Sequence, residues 1–548
     1  MSTLTTPVTA PARASSSTAG QGRTLDVSNL HTMLGINLRT GWRTLLGWWL
    51  AMVALAAITA QSMERTYPTP AEVRAYGETI GSGAAIQMMN GRIAGLDTLG
   101  GIFANEFGFI VSFVVPVMGI ALVARSTRRE EESGRLELLL ASALGRHAPL
   151  AAALLITLGV ALVTGLGVWA SVLGTDIDVA GAAWYAAGIA AMIMLFGAVA
   201  AVAAQLAENT RGVWMIGVAI AIASYLVRGL SAVNDGWYGW LTPHGLFDGI
   251  KAFGGNPQWW PLAVLVAVSV VLVVVAAGLN ASRDLGAAMW QARPGARHAS
   301  AVLRSPWGIA LHEHRGALIG WAVIAVVAMA IYGSLTQQVI EALQASPQLQ
   351  IFVQAGLNSV VAMFVLLAAM LAAAAAIVLG GALRAAETSG RLEAELAGPR
   401  SRVGWISRHL VVISLGSVVI LWLGAVMLAA SANASLGDGQ LWGPVMRAAA
   451  VHVPVVLAFS GASAAMFAWL PRWRGLVWAV YGVAVFLGYM GDALGVPDWL
   501  LDNSPFMLAG MVPTEPVRWA GVVVMSVIAV VGHVLAVVGM RHRSLPVV

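Results

Sequence analysis

The segment richest in chemistry in this sequence is Glu131-Glu-Ser-Gly-Arg-Leu-Glu137, which returns as Glu387-Thr-Ser-Gly-Arg-Leu-Glu393. Carboxylates and a guanidinium at this spacing offer ion pairing and docking. Glu131 precedes Arg135 by four residues, as Glu387 precedes Arg391, which is the favourable order for an i,i+4 ion pair on a helix. Leu136, Leu139 and Leu140 add an apolar stripe, so the spacing predicts a short amphipathic helix on a surface. A single copy would be an ordinary solvated loop element. Two copies, with nine identities in the sixteen positions of 131–146 against 387–402, suit two contacts with one kind of partner. An acidic and apolar knob presented twice fits a two-fold symmetric one.

Other chemistries are excluded by residue type. The chain has no Cys, which removes disulfides, thiolate metal sites and cysteine nucleophiles. A P-loop needs a Lys to reach phosphate, and the single Lys of this chain, Lys251, stands between Ile250 and Ala252 with no such motif. ATP hydrolysis by this chain is therefore not expected. Leu311-His-Glu-His-Arg315 lacks the His-Glu-x-x-His spacing of a zinc helix, so the expectation is no catalytic residue, no metal and no cofactor bound by the chain itself. Glu106, His452 and His533 fall inside apolar stretches, where ionisable groups are costly and become candidates for function, although Glu106 is also placed to reach the interface, and the histidines, with no acid at helical spacing in their spans, read first as structural.

The elements that must position these residues are transmembrane helices. Of the 548 residues 58% are apolar and 10% charged, against roughly 45–50% and about 25% in ordinary soluble domains. A soluble enzyme is excluded, and the basic surplus of +5 is scattered between apolar runs instead of forming a nucleic-acid stripe. A spanning helix needs about 20 apolar residues. Twelve runs qualify: 45–61, 101–124, 148–171, 180–207, 212–230, 262–280, 316–334, 358–383, 409–430, 449–470, 475–491 and 518–540. With the N-terminus inside, 24 of the 31 basic residues fall on the cytoplasmic side, which places both termini there. Residues 1–27, rich in Ser, Thr, Ala and Pro, read as a disordered cytoplasmic tail.

The repeat extends beyond the motif. Leu34-Gly-Ile-Asn-Leu38 parallels Trp307-Gly-Ile-Ala-Leu311, Arg211-Gly212 parallels Arg474-Gly475, and Thr242-Pro243 parallels Ser504-Pro505. The expected organisation is a first six-helix half over 28–280, a cytoplasmic linker and elbow over 281–315, and a second six-helix half over 316–548. Six is even, so the halves are parallel repeats. The first half has the longer outer loop, 62–100, in which the sequence predicts one or two short helices. Its motif segment lies near 128–146, and that of the second half near 384–402.

At the duplicated Glu-x-Ser-Gly-Arg-Leu-Glu, and at Ser282-Arg-Asp-Leu-Gly286 after the sixth span, the chain resembles permease subunits of ABC transporters of the ABC-2 exporter type. More narrowly it resembles the fused twelve-span permeases of tetronasin-type polyketide-antibiotic and multidrug exporters of actinobacteria, including mycobacteria. The resemblance covers the chain from about residue 30. It implies an all-α polytopic membrane protein with an ABC-2, or type V exporter-like, fold in a bacterial plasma membrane. It also implies that Glu131, Ser133, Gly134, Arg135 and Glu137, with Glu387, Ser389, Gly390, Arg391 and Glu393, couple the permease to an ATPase. That ATPase would be a separate polypeptide in two copies, holding ATP and Mg. Glu395 and Pro399 stand where the first copy has Leu139 and Ala143, so the two docking contacts are expected to be unequal.

In that family the second and fifth spans of each half wall the substrate route. This implies Glu106, Phe107, Phe109, Phe113, Met118, Trp214, Met215, Met363, Phe364, Met370, Trp478 and Tyr481, of which the aromatics and Met suit bulky hydrophobic ligands. Packing or lipid contact is the plain alternative for each. The partners implied are the ATPase, membrane lipid and a hydrophobic small molecule, with no nucleic acid. A proton-coupled secondary multidrug transporter is the competing function. It needs acidic residues deep in the membrane, of which the sequence offers almost none.

Overall fold

The computed structural model describes residues 26–81, 84–140, 144–283, 300–337, 356–398, 400–490 and 497–543, with 289, 297, 298 and 340. The expected tail before residue 26, most of the second outer loop, Asp284-Leu-Gly286 and Pro399 lie outside them. The chain is an all-α polytopic membrane protein: eleven of the described helices are long and apolar enough to cross a membrane. It divides into two units, Met1–Pro294 and Gly295–Val548.

In the first unit the long helices are α1 (Leu30–Thr66), α4 (Leu99–Ser126), α7 (Ala148–Ser171), α8 (Val179–Leu206), α9 (Thr210–Asn234) and α11 (Trp259–Ser282). Short helices α2 (Pro70–Gly81) and α3 (Ala84–Asn90) lie in the connection 62–100, and α5 (Arg128–Glu132) and α6 (Arg135–Leu140) carry the motif. A seven-residue helix, α10 (Pro243–Gly249), precedes α11. Three of the starts have a clear local cause. Thr98 accepts from Gly101 N at 3.1 Å and Asn209 from Gly212 N at 2.8 Å, which satisfies donors that a helix start leaves bare. Thr69 and Glu72 form a reciprocal capping box at α2, with Thr69 N donating to Glu72 Oε2 at 3.1 Å and Glu72 N to Thr69 Oγ1 at 3.3 Å.

Helix α8 is the axis of this unit. Its apolar window is 78% buried, against 17% for α1 and α11, and it packs on α4, α7, α9 and α11. Ala and Gly let those backbones come close, which is how helices associate where lipid removes the hydrophobic drive. At Gly119 of α4 a Cβ would stand 2.4 Å from the Ile193 carbonyl oxygen, so only hydrogen fits there. Helix α4 runs unbroken through Pro116.

The second unit repeats the plan with α12 (Pro306–Ser334), α13 (Gly356–Thr388), α14 (Arg391–Leu396), α15 (Arg402–Leu436), α16 (Trp442–Trp469), α17 (Gly475–Met490), α18 (Asp498–Leu501) and α19 (Trp519–His542). Helix α13 is its most enclosed member and packs on α12, α15 and α16. One expected span differs. Where the sequence predicts a crossing over 475–491, α17 has 16 described residues and falls short of spanning length, and 491–496 lie outside the described residues. Helix α12 also starts ten residues before the expected 316, because Ser305 caps it by accepting from Trp307 N at 3.3 Å and Pro306 supplies a preset first turn.

Replacing Gly119 by Ala should destabilise the detergent-solubilised protein by roughly 1–3 kcal/mol, the usual cost of overpacking, despite the higher helix propensity of Ala. Gly159→Ala, where a Cβ meets nothing within 4 Å, should be neutral or slightly stabilising in the same thermal-unfolding assay.

Candidate functional site: a buried carboxylate clamp in each unit

The repeated motif does not form one continuous helix. Gly134 has φ +70° and Gly390 φ +72°, the left-handed region, and each ends one helix and turns the chain into the next. Nothing lies within 4 Å of a Cβ built at either position, so glycine is required there by backbone conformation and not by crowding. The serine before it closes the turn. Ser133 N donates to Arg129 O at 3.2 Å and Ser389 N to Ala385 O at 3.1 Å, while Arg135 Nε and Arg391 Nε each donate to the neighbouring serine Oγ at 3.0 Å. Ser-Gly-Arg is thus a helix stop with an exposed arginine after it.

The break overturns the expected i,i+4 ion pairs. Arg135 bonds Glu130 Oε1 at 3.0 Å, and Arg391 faces Glu313 at 3.6 Å. Glu131 and Glu387 turn inward instead. Glu131, its side chain 9% exposed, lies between Arg128 and Arg283, and Arg283 NH1 donates to its Oε2 at 3.1 Å. Arg283 Nε donates to Gln205 Oε1 at 2.7 Å, and Arg128 Nε to the Ala207 carbonyl at 2.7 Å. One carboxylate therefore ties the motif to the end of α8 and to the residue after α11.

The second unit builds the same object. Glu387, 5% exposed, lies between Arg384 and Arg543; Arg543 NH2 donates to both its oxygens at 2.8 and 2.9 Å. Arg543 NH1 donates to the Phe467 carbonyl at 2.7 Å, and its guanidinium stacks 4.8 Å from the Phe467 ring. The correspondence is strict in sequence: Arg128 and Arg384 share the offset of Glu131 and Glu387, and Arg283 and Arg543 share that of Ala207 and Phe467. Glu132 adds a contact without a counterpart, accepting from Thr210 N at 2.6 Å and Thr210 Oγ1 at 2.7 Å at the start of α9.

Sequence reasoning gave none of the four arginines a role, although Arg283 stands in the Ser282-Arg-Asp-Leu-Gly286 motif. Two signals were available: Arg128 and Arg384 at the motif's own offset, and an arginine directly after the last span of each half. On the outer surface of the segment remain Ser133, Arg135 and Glu137 in the first copy, and Ser389 and Arg391 with half-buried Glu393 in the second. Leu136 and Leu392 are buried, so this leucine of the motif packs inward in both copies.

The expected pathway residues scatter. Phe107, Met118, Phe364 and Met370 are buried in the cores of their units, with Phe107 stacked on Phe103 at 5.2 Å. Phe113, Met215, Met363 and Trp478 are exposed, and Phe109, Trp214 and Tyr481 are half-buried. Two pairs meet: Phe109 with Phe113 at 5.2 Å, and Trp478 with Tyr481 at 5.6 Å. Glu106 accepts from Tyr76 OH of α2 at 2.5 Å and from Asn105 Nδ2 at 3.3 Å, which anchors the outer loop. Burial and that carboxylate raise the Tyr76 phenol above its ordinary pKa, so it stays the donor. His452 holds the Ala448 carbonyl through Nδ1 at 2.8 Å, and His533 holds Ser414 Oγ through Nε2 at 2.8 Å. Neither has an acidic partner in these contacts.

A polar cluster around α9 and α10 of the first unit was also missed. Arg228 of α9 pairs with Asp248 at 3.4 Å and donates to Met89 O at 2.9 Å. His244 is pushed down to about 3 by burial, hence neutral. Its Nε2 donates to the Ser112 carbonyl at 2.9 Å, and Nδ1 accepts from Ser224 Oγ at 2.6 Å. These bonds lock α10 against α4 and α9.

A family model described as the C-terminal domain of the multidrug efflux system permease Rv1217c matches residues 30–280 and 303–541. The chain is also similar to the multidrug efflux system permease protein Rv1217c of Mycobacterium tuberculosis (strain ATCC 25618 / H37Rv). The two are 31% identical over 464 residues, covering 83% of this chain and 84% of that protein.

Removing one member of a buried pair strands the other charge, at a cost of about 3–5 kcal/mol. Glu131→Gln should lower thermal stability by that order. Glu387→Gln should cost less, because Arg384 is 33% exposed and water can take over its solvation.

Proposed function

Since the chain belongs to the family of the multidrug efflux system permease Rv1217c, we propose that it is the permease of an ATP-driven exporter of hydrophobic drugs, powered by a separate ATPase. The observation that carries this reading is the pair of clamped motif segments. Each shows an exposed arginine and a glutamate outward, while its buried Glu131 or Glu387 is fastened to the arginine after the last long helix of its unit. A surface segment so fixed moves the helix ends with it when a partner pushes, whereas a loosely held loop would absorb the motion. Two such segments suit two ATPase copies, which would hold ATP and Mg.

In this reading the motif segments and both termini face the cytoplasm, in line with the basic residues that cluster in those connections. Coupling passes through Arg135, Glu137, Arg391 and Glu393 by surface contact, and through Glu131 and Glu387 by holding the segment. Ser133, Gly134, Ser389 and Gly390 shape the turn. Among the expected pathway residues, Phe113, Met215, Met363 and Trp478 have the exposure that ligand contact needs.

The test is transport of a hydrophobic drug into inside-out vesicles, with affinity capture of the chain from the same membranes. Arg135→Glu combined with Arg391→Glu should leave insertion unchanged, lower thermal stability by no more than about 1–2 kcal/mol since both arginines are exposed, release a P-loop ATPase from the captured complex, and reduce ATP-dependent uptake at least tenfold. Full uptake in that variant would overturn the docking assignment. Uptake driven by a proton gradient in vesicles lacking ATP would replace the reading with a secondary transporter.

A further inference from the structure

The Leu311-His-Glu-His-Arg315 segment, which lacks zinc spacing by itself, gains its missing ligands from elsewhere in the second unit. Glu313 of α12, Glu395 of α14 and His409 of α15 each bring one ligand atom into a group in which all lie within 4.8 Å of one another. We infer that these three residues form a zinc-type divalent-metal site that fastens α14 to α12 and α15.

The histidine is oriented for this. His409 is buried, and its Nδ1 is engaged by Nε2 of His314 at 3.0 Å. That leaves Nε2 facing the carboxylates, 3.8 Å from Glu313 Oε2 and so beyond hydrogen-bonding distance. The Trp405 ring packs on the imidazole at 4.4 Å. A metal-bound histidine characteristically has its second ring nitrogen held by another group, the place His314 takes here. Zn²⁺ binds imidazole nitrogen and carboxylate oxygen at about 2.0–2.2 Å in a tetrahedron, which sets ligand atoms about 3.4 Å apart. Rotation of two glutamate side chains closes the remaining gap, and water completes the fourth position.

Two arginines stand at the rim. Arg391 lies 3.6 Å from Glu313 Oε1, and Arg400 bonds Glu395 Oε2 at 3.1 Å. Each guanidinium approaches one oxygen of a two-oxygen group, so a cation on the other is compatible with both. The site belongs to the second repeat alone. At the offsets that align the repeats, Thr40, Leu139 and Ala153 stand where Glu313, Glu395 and His409 do, and Gly41 stands for His314. Bound metal would therefore stiffen only the second motif segment.

The test uses the full chain, without a histidine tag, purified in detergent, stripped with chelator and titrated with Co²⁺ and then Zn²⁺. One equivalent of Co²⁺ should give the intense visible bands of a tetrahedral site, and Zn²⁺ should displace it. Glu395→Gln and His409→Gln should abolish the bands, and His314→Ala should weaken binding roughly 10–100-fold. Glu395→Leu, which installs the residue of the first repeat on a short surface helix, should also abolish them with an unchanged elution profile. Absence of tetrahedral bands in the unmodified chain, or the same bands in both Glu395 variants, would overturn the site. Binding is read from the metal itself and is independent of whether an ATPase drives transport.

Discussion

The physical constraint on which this protein turns is the burial of one carboxylate in each unit between two arginines. An unpaired charge at such a site is too costly to keep, so Glu131 and Glu387 dictate where Arg283 and Arg543 must be. Those arginines directly follow the last long helix of each unit, while Glu131 lies in α5 just after α4 and Glu387 in the last turn of α13. The clamp thereby closes each unit at one end, joining chain segments about 150 residues apart in sequence. Backbone carbonyls at Ala207 and Phe467 accept from Arg128 and Arg543, and Gln205 from Arg283, so these cations gain hydrogen bonds as well as a charge partner.

The rest of each unit is built to receive that closure. Small residues bring α4 onto α8 at backbone distance, and the positive φ of Gly134 and Gly390 lets the chain leave the bundle just beyond the clamp. What emerges is a short charged segment on a rigid base. The two bases are alike, but their surroundings are not. Arg128 is fully buried, whereas Arg384 reaches solvent, and among the described residues only the second segment has a His-Glu cluster beside it. The departure of Glu395 from Leu139 thus becomes a difference in what holds each segment.

Much of this was legible in the sequence. Apolar run length located eleven of the crossing helices, because length and composition alone decide whether a helix can sit in lipid. The 256-residue repeat identified the motif, and Thr69 with Glu72 signalled a helix start in the outer loop. The sense of the motif was not legible. Glu131 and Arg135 have ideal spacing for a surface ion pair, but that spacing presumes an unbroken helix, and Gly134 breaks it. Which side of the segment faces inward depends on arginines that precede it by three residues or follow it by about 150. Likewise Glu313 and His409 become neighbours only through the packing of α12 on α15.

The central claim is that a terminal arginine holds each motif segment against its unit, and amide hydrogen exchange of the intact protein with Arg283→Met or Arg543→Met tests it most directly. Arg283→Met should speed exchange across 128–140 while leaving 384–396 and the core helix α8 protected, and Arg543→Met should do the reverse, exposing 384–396 alone. Unchanged protection of 128–140 in the first variant and of 384–396 in the second would contradict the clamp.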